Sequence, residues 1–261
     1  MVNNMGKTIL IASGKGGVGK PTLTANLGIA LAELDNDVLV LDNDMGLRNL
    51  DLALGLENNI FYDAADIISD DCKIREAVIK YDKNSKLSFI AASQFKDELD
   101  IISDKYASFV NKLKEKYDYV LIDCPAGIGD NLKNAAMCCD MALIVVNPDP
   151  YSLRDADKLA SVFDKYENIK DVRLVINRMR KELINSGIML NIDSIIEALG
   201  IRLAGVIMED AKVIEASIKG EPIVNMNKSK TGKSFRDIAL RICGNNIPIT
   251  EIKPRKRFLF F

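Results

Sequence analysis

The sequence predicts an α/β fold: a doubly wound, mostly parallel sheet with helices on both faces. Three features support this. Short apolar runs alternate with helical patterns along the whole chain, the βαβ rhythm of such sheets. Several runs are continuously apolar rather than alternating, as expected of strands covered on both faces. The first run opens into a glycine-rich turn and then directly into a helical pattern.

Strands are expected at Thr8–Ala12, Val38–Leu41, Leu87–Ala91, Tyr119–Ile122, Leu143–Val146, Val172–Ile176 and Leu203–Ile207. Helical patterns include Leu23–Leu34, Tyr106–Lys116, Ser152–Tyr166, Ile192–Leu199 and Ala211–Ile218. No linker, repeat or low-complexity block divides them. Residues 1–246 are therefore read as one domain and residues 247–261 as a tail of different character.

The stretch Lys7–Thr22, K-T-I-L-I-A-S-G-K-G-G-V-G-K-P-T, organises the rest. A strand, a glycine loop and a helix in that order are the setting of a phosphate-binding P-loop. Glycines let successive backbone N–H groups approach a phosphate closely. The helix N-terminus adds partial positive charge, and Lys20 adds a full one. The expected nucleotide-binding set is Gly14, Lys15, Gly16, Gly17, Val18, Gly19 and Lys20, continuing into Pro21 and Thr22. The motif requires a hydroxyl after its lysine, as a Mg²⁺ ligand. Pro21 stands there instead, lacking both the hydroxyl and a backbone N–H. Thr22 is the next hydroxyl along, about 100° further round a helix.

Ligands of such sheets bind beyond the carboxyl ends of the strands. The second expected strand runs into Asp42 and Asp44, suited to ordering hydrated Mg²⁺ or an attacking water. The fourth ends in V-L-I-D-C-P-A-G, where Asp123 is a Walker-B-type acid near Mg²⁺. Asn177 ends a later strand, where its amide serves either as a purine contact or as an ordinary cap.

The chain has 261 residues, 48% of them hydrophobic, ample for a large core. A net charge of −2 gives no basic field, and no nucleic-acid partner is expected. The longest apolar runs are too short to span a bilayer, and residues before the first strand lack a secretory apolar region. Five cysteines without C-x-x-C spacing, and no histidine, argue against a zinc site or disulfide framework; a reducing cytosol is expected.

At the C-terminus, Lys253, Arg255, Lys256 and Arg257 adjoin Phe258, Leu259, Phe260 and Phe261. Cations beside large apolar groups suit an anionic bilayer surface, with Arg255 to Phe261 as the contact. Docking on the protein's own surface and plain disorder are the alternatives.

With these residues in hand, S-G-K-G-G-V-G-K resembles the deviant Walker A of the MinD/ParA class of P-loop ATPases, whose extra lysine matches Lys15. G-L-R-N-L-D-L at 46–52, D-C-P-A-G-I at 123–128 and S-L-R-D-A-D at 152–157 are similar to its cell-division branch. The resemblance implies ATP and Mg²⁺ as cofactors and an ATP-dependent homodimer in which Lys15 reaches the partner's phosphates. It implies Asp44 as the residue that orients water, Asp42 supporting, Asp123 near Mg²⁺ and Asn177 at adenine. It also implies a surface around Arg154 and Asp155 that recruits a division inhibitor and a topological regulator, with the protein in the cytoplasm and at the inner face of the membrane. Pro21 departs from the family, as does Met208, where the family has proline. A DNA-segregating ATPase of the same class and a hydrolysis-impaired scaffold are the competing readings.

Overall fold

The computed structural model describes residues 5–45, 48–93, 103–226 and 228–249. Gly46, Leu47 and the expected membrane contact Arg255–Phe261 lie outside the described residues. In chain order the elements are β1 (Lys7–Ala12), α1 (Lys20–Ala32), β2 (Val38–Asp42), α2 (Leu50–Leu54), α3 (Ala64–Ile68), α4 (Ile74–Ala77) and β3 (Ile79–Lys80). Then follow β4 (Leu87–Ile90), α5 (Ser103–Lys114), β5 (Tyr119–Asp123), α6 (Asp130–Cys138), β6 (Met141–Val146) and α7 (Pro150–Phe163). The rest are β7 (Asp171–Met179), α8 (Lys181–Asn185), α9 (Ile192–Leu199), β8 (Arg202–Met208), α10 (Ala211–Ile218) and α11 (Lys230–Ile242).

These strands form one sheet in the order β3-β4-β2-β5-β1-β6-β7-β8, parallel except for the short antiparallel β3. The seven expected strands are all present within a few residues of their expected bounds. The strands β1, β2, β4, β5 and β6 bury both faces. Ile9, Ile11, Val38 and Val40 pack with α1 and α11, while Leu10, Ala12, Leu39 and Leu41 pack with α5, α6 and α7. Burying such a side chain stabilises the fold by about 1.5–3 kcal/mol, which is why the strands read as unbroken apolar runs.

α11 lies on α1 and β8. Its Phe235, Ile238, Ala239 and Ile242 fall at helical spacing and are buried, and Arg236 grips Glu33 of α1 through two bonds of 2.6 and 2.8 Å. In the last turn of α11, Arg241 donates to the carbonyls of Ile247, Pro248 and Ala204. Residues 247–249, read from sequence as the start of the tail, are thus tied to α11 and β8 at that root.

The sheet order places the functional loops. β1 lies centrally, between β5 and β6, and β2 pairs with β5 in a register that sets Asp42 opposite Asp123. The carboxyl ends of β1, β2 and β5 therefore converge beside the loop that follows β1.

Candidate nucleotide site

The glycine loop spans Ser13 to Gly19 between β1 and α1. Gly19 caps α1 with φ of 99°, a backbone region that side chains disfavour. A Cβ there would also sit 2.5 Å from the Asn177 amide nitrogen. At Gly14 a Cβ would meet Asp155 of α7 at 2.5 Å, so the loop lies directly against that helix. Pro21 falls in the first turn of α1, where proline is tolerated because its N–H would have no helical partner.

Lys20 is buried, and its ammonium donates to Ser13 Oγ at 3.0 Å. That hydroxyl in turn donates to the Lys15 carbonyl at 2.8 Å. Ser13 therefore sets both the lysine and the loop backbone. The sequence reading missed it; its position, directly between the strand and the first glycine, was the available signal.

Three carboxyls gather at this corner, and the Lys20 charge acts on two of them, Asp44 and Asp123. Asp42 accepts from the backbone N–H of Asp44 at 2.9 Å and of Leu50 at 3.3 Å. Burial nevertheless pushes its carboxyl up to about 7. Burial, followed by the neighbouring Asp42 charge, drives Asp123 well above the ordinary carboxylate range. Asp44 is raised by desolvation and pulled back in part by Lys20. One oxygen of Asp123 is buried without a hydrogen-bond partner. An orphaned oxygen in a carboxyl-rich corner suits a hydrated divalent cation, so these residues fit Mg²⁺ even though position 21 offers no ligand. Among the described residues no cluster of three metal-binding side chains is gathered. Such a cation would depend on phosphates and water for most of its shell.

Thr22 lines a separate small cleft with Asn26, Ala53, Val213 and Ile223. It keeps company with α2 and α10 rather than with the carboxyl corner. Asn177 lies within β7, at an irregularity in its pairing with β8, and donates to the Val18 carbonyl at 2.7 Å. Its oxygen accepts from the Arg178 N–H. The structure shows it bracing the loop. Cys124 is fully buried beside Asn43 as a packing residue, with its thiol pushed up by desolvation.

Lys15 projects from the loop with its side chain half exposed. Its ammonium lies 3.9 Å from Asp149 and 5.9 Å from the centre of the Tyr151 ring. Asp149 caps α7 by accepting from the Ser152 N–H. Arg154 is exposed on that helix, and Asp155 is partly covered by the glycine loop. The expected partner surface and the phosphate loop are thus in direct contact.

A parallel sheet whose central strand feeds a glycine loop, a buried lysine and an acid-bearing neighbour strand defines a P-loop nucleotide-binding protein. A family profile described as an AAA domain matches residues 6–176. The septum site-determining protein MinD of Bacillus subtilis is 41% identical over 254 residues, covering 97% of this chain and 95% of the relative. The structure of the MinC:MinD cell division protein complex of Aquifex aeolicus aligns with TM-score 0.86 and 38% identity, covering 94% of this chain and 99% of that one. MinD of Pyrococcus horikoshii, solved in complex with Mg-ADP, aligns with TM-score 0.81 and 30% identity over 91% of this chain and 96% of that one. The chain belongs to the MinD family of septum site-determining proteins.

Proposed function

We propose that this chain is an ATP-hydrolysing switch that dimerises on ATP, binds the inner face of the cell membrane through its tail, and recruits a division inhibitor that places the septum. The observation carrying this reading is the convergence of the glycine loop, Lys20 and the carboxyls of Asp42, Asp44 and Asp123 at one end of the sheet. A relative in this family was solved with Mg-ADP and another with MinC, which supports the same ligand and partner class here.

In this account the loop N–H groups and Lys20 hold the phosphates, and Asp44 orients the attacking water with Asp42 in support. Asp123 would hold Mg²⁺ through water, and the ion would neutralise charge on the phosphates. Lys15 leaves Asp149 and Tyr151 to reach the partner's phosphates. The half-exposed position of Lys15 at the loop's rim supports this. Departure of Lys15 also alters the neighbourhood of Arg154 and Asp155, which links nucleotide state to recruitment. The topological regulator is expected at the same surface.

A second reading, a scaffold that binds nucleotide and hydrolyses little, rests on Pro21. Mg²⁺-dependent ATP turnover with anionic liposomes separates the two. Stimulated turnover supports the switch. Nucleotide binding without turnover, restored by Pro21→Thr, supports the scaffold.

A further inference from the structure

One edge of the sheet is β8, which among the described residues pairs with β7. Alongside it lies a cavity of about 630 Å³, three strands from β1 in the sheet order. Its apolar lining comes from Val206 and Met208 of β8 and from Ile249. Its charged lining comes from Lys181, Lys230, Lys233 and Arg241, with Asp237 as the one carboxylate among the described lining residues.

The charges do not cancel. Asp237 is engaged by Lys233 at 2.7 Å. Glu209, the nearest acid after β8, is engaged by Arg180, and Asp210 accepts from the Thr231 hydroxyl. Lys181 and Lys230 have no carboxylate partner among the described residues. Arg241 gives its N–H groups to three neutral carbonyls and feels the charge of Asp237, the carboxylate that Lys233 already engages. The described lining residues therefore carry a surplus of three positive charges, reduced to two by the Asp210 carboxylate on Thr231, and the N-terminus of the 13-residue α11 adds to it.

Lysines beside an edge strand often serve only to discourage pairing with another chain. That role needs charge on the edge. It does not need a concavity floored by Val206, Met208 and Ile249. An apolar floor under a cationic rim matches an anion that carries its own apolar body.

Position identifies the source. Ile249 lines the cavity, and Lys253 follows four residues later, at most about 14 Å away along the chain. If the tail lies at an anionic bilayer, which is the reading proposed above and on which this inference rests, the cavity lies within reach of the headgroups.

We propose that the β8-edge cavity is a headgroup site for an anionic phospholipid. The phosphodiester sits among Lys181, Lys230 and Lys233, and the first carbons of the lipid lie on Val206 and Met208. The tail supplies apolar insertion, and this cavity supplies recognition of the headgroup.

The test uses the full chain, labelled for amide NMR and titrated with dihexanoyl phosphatidylglycerol below its micelle concentration. The expected result is saturable shifts at residues 206–208 and 230–234. Dihexanoyl phosphatidylcholine and inorganic phosphate should each bind at least about tenfold more weakly, because one lacks net charge and the other lacks the apolar body. The Lys181→Gln/Lys230→Gln variant should lose about tenfold or more in affinity for the glycerol lipid with an unchanged melting temperature. Shifts confined to residues 253–261, equal binding of the choline lipid, or equal binding of phosphate would each overturn the proposal. Liposome sedimentation of the same full chain reads the tail separately. No sedimentation with an intact NMR titration would refute the membrane reading and leave the lipid site standing.

Discussion

The side-chain amide of Asn177 donates to the backbone carbonyl of Val18 at 2.7 Å, tying β7 to the glycine loop across 159 residues of sequence. The space it occupies is the space a side chain at Gly19 would need. One contact thus explains why residue 19 lacks a side chain and why residue 177 carries an amide.

Asn177→Ala should weaken nucleotide binding about tenfold, since a hydrogen bond contributes about 1 kcal/mol and the braced loop is lost with it. Gly19→Ala should be worse, because it adds strain at positive φ to the clash. The double variant should recover part of the Gly19→Ala loss and no more. Isothermal titration with a non-hydrolysable ATP analogue gives all the values. Full recovery would show that the clash alone matters.

Pro21→Thr should raise affinity for Mg²⁺–ATP by roughly ten- to a hundred-fold. The substitution restores an N–H that faces the phosphates, and a hydrogen bond to a charged group contributes about 1.5–3 kcal/mol. It also restores a hydroxyl for the metal. Unchanged affinity and turnover in the variant would show that the loop already functions without them.

Without nucleotide and divalent cation, Asp42→Asn should be better tolerated at high pH than at low, because the amide loses one of the two acceptors used by the Asp44 and Leu50 N–H groups but carries no buried charge. The Asp42 carboxyl is raised to about 7, so the folded state holds a proton that the unfolded state has released. Stability from this group therefore falls as pH rises from about 4 to about 7 and is flat above. The melting temperature of the variant relative to the unsubstituted chain should be higher at pH 8 than at pH 5. An equal difference at both values would mean that Asp42 titrates normally.

Lys15→Ala should fold normally, because the Lys15 side chain is 49% exposed and its contact with Asp149 is long. ATP-dependent dimerisation should be lost. Analytical ultracentrifugation with ATP checks this, and a normally dimeric variant would remove the trans role.

Much of this was legible in the sequence. The central strands were readable because they bury two faces, and the loop was readable because phosphate binding demands glycines at fixed spacing. β3 was not, since two residues carry no period. The reading did not single out α11, whose buried stripe is interrupted by Lys233, Arg236, Asp237 and Arg241. Ser13 escaped because its partners, the Lys20 ammonium and the Lys15 carbonyl, meet it only when the loop closes. The bracing role of Asn177 depends on strand order, since β7 reaches the loop past β6. Sequence placed Asn177 at a strand end and left its contact between base and cap.

The central claim is that ATP controls residence at the membrane. Each cation near an anionic surface contributes about 1 kcal/mol, and ordering a tail offsets much of the apolar gain, so in this account one tail should bind marginally. Two tails in a dimer gain roughly 10²–10⁴-fold in avidity without a new contact. The most direct measurement is sedimentation of the full chain with phosphatidylglycerol liposomes, in ATP and in ADP, alongside a chain ending at residue 252. The account predicts strong sedimentation of the full chain in ATP, little in ADP, and none for the shortened chain, which should still dimerise with ATP. Equal sedimentation in ATP and ADP, or of the two chains, would contradict it.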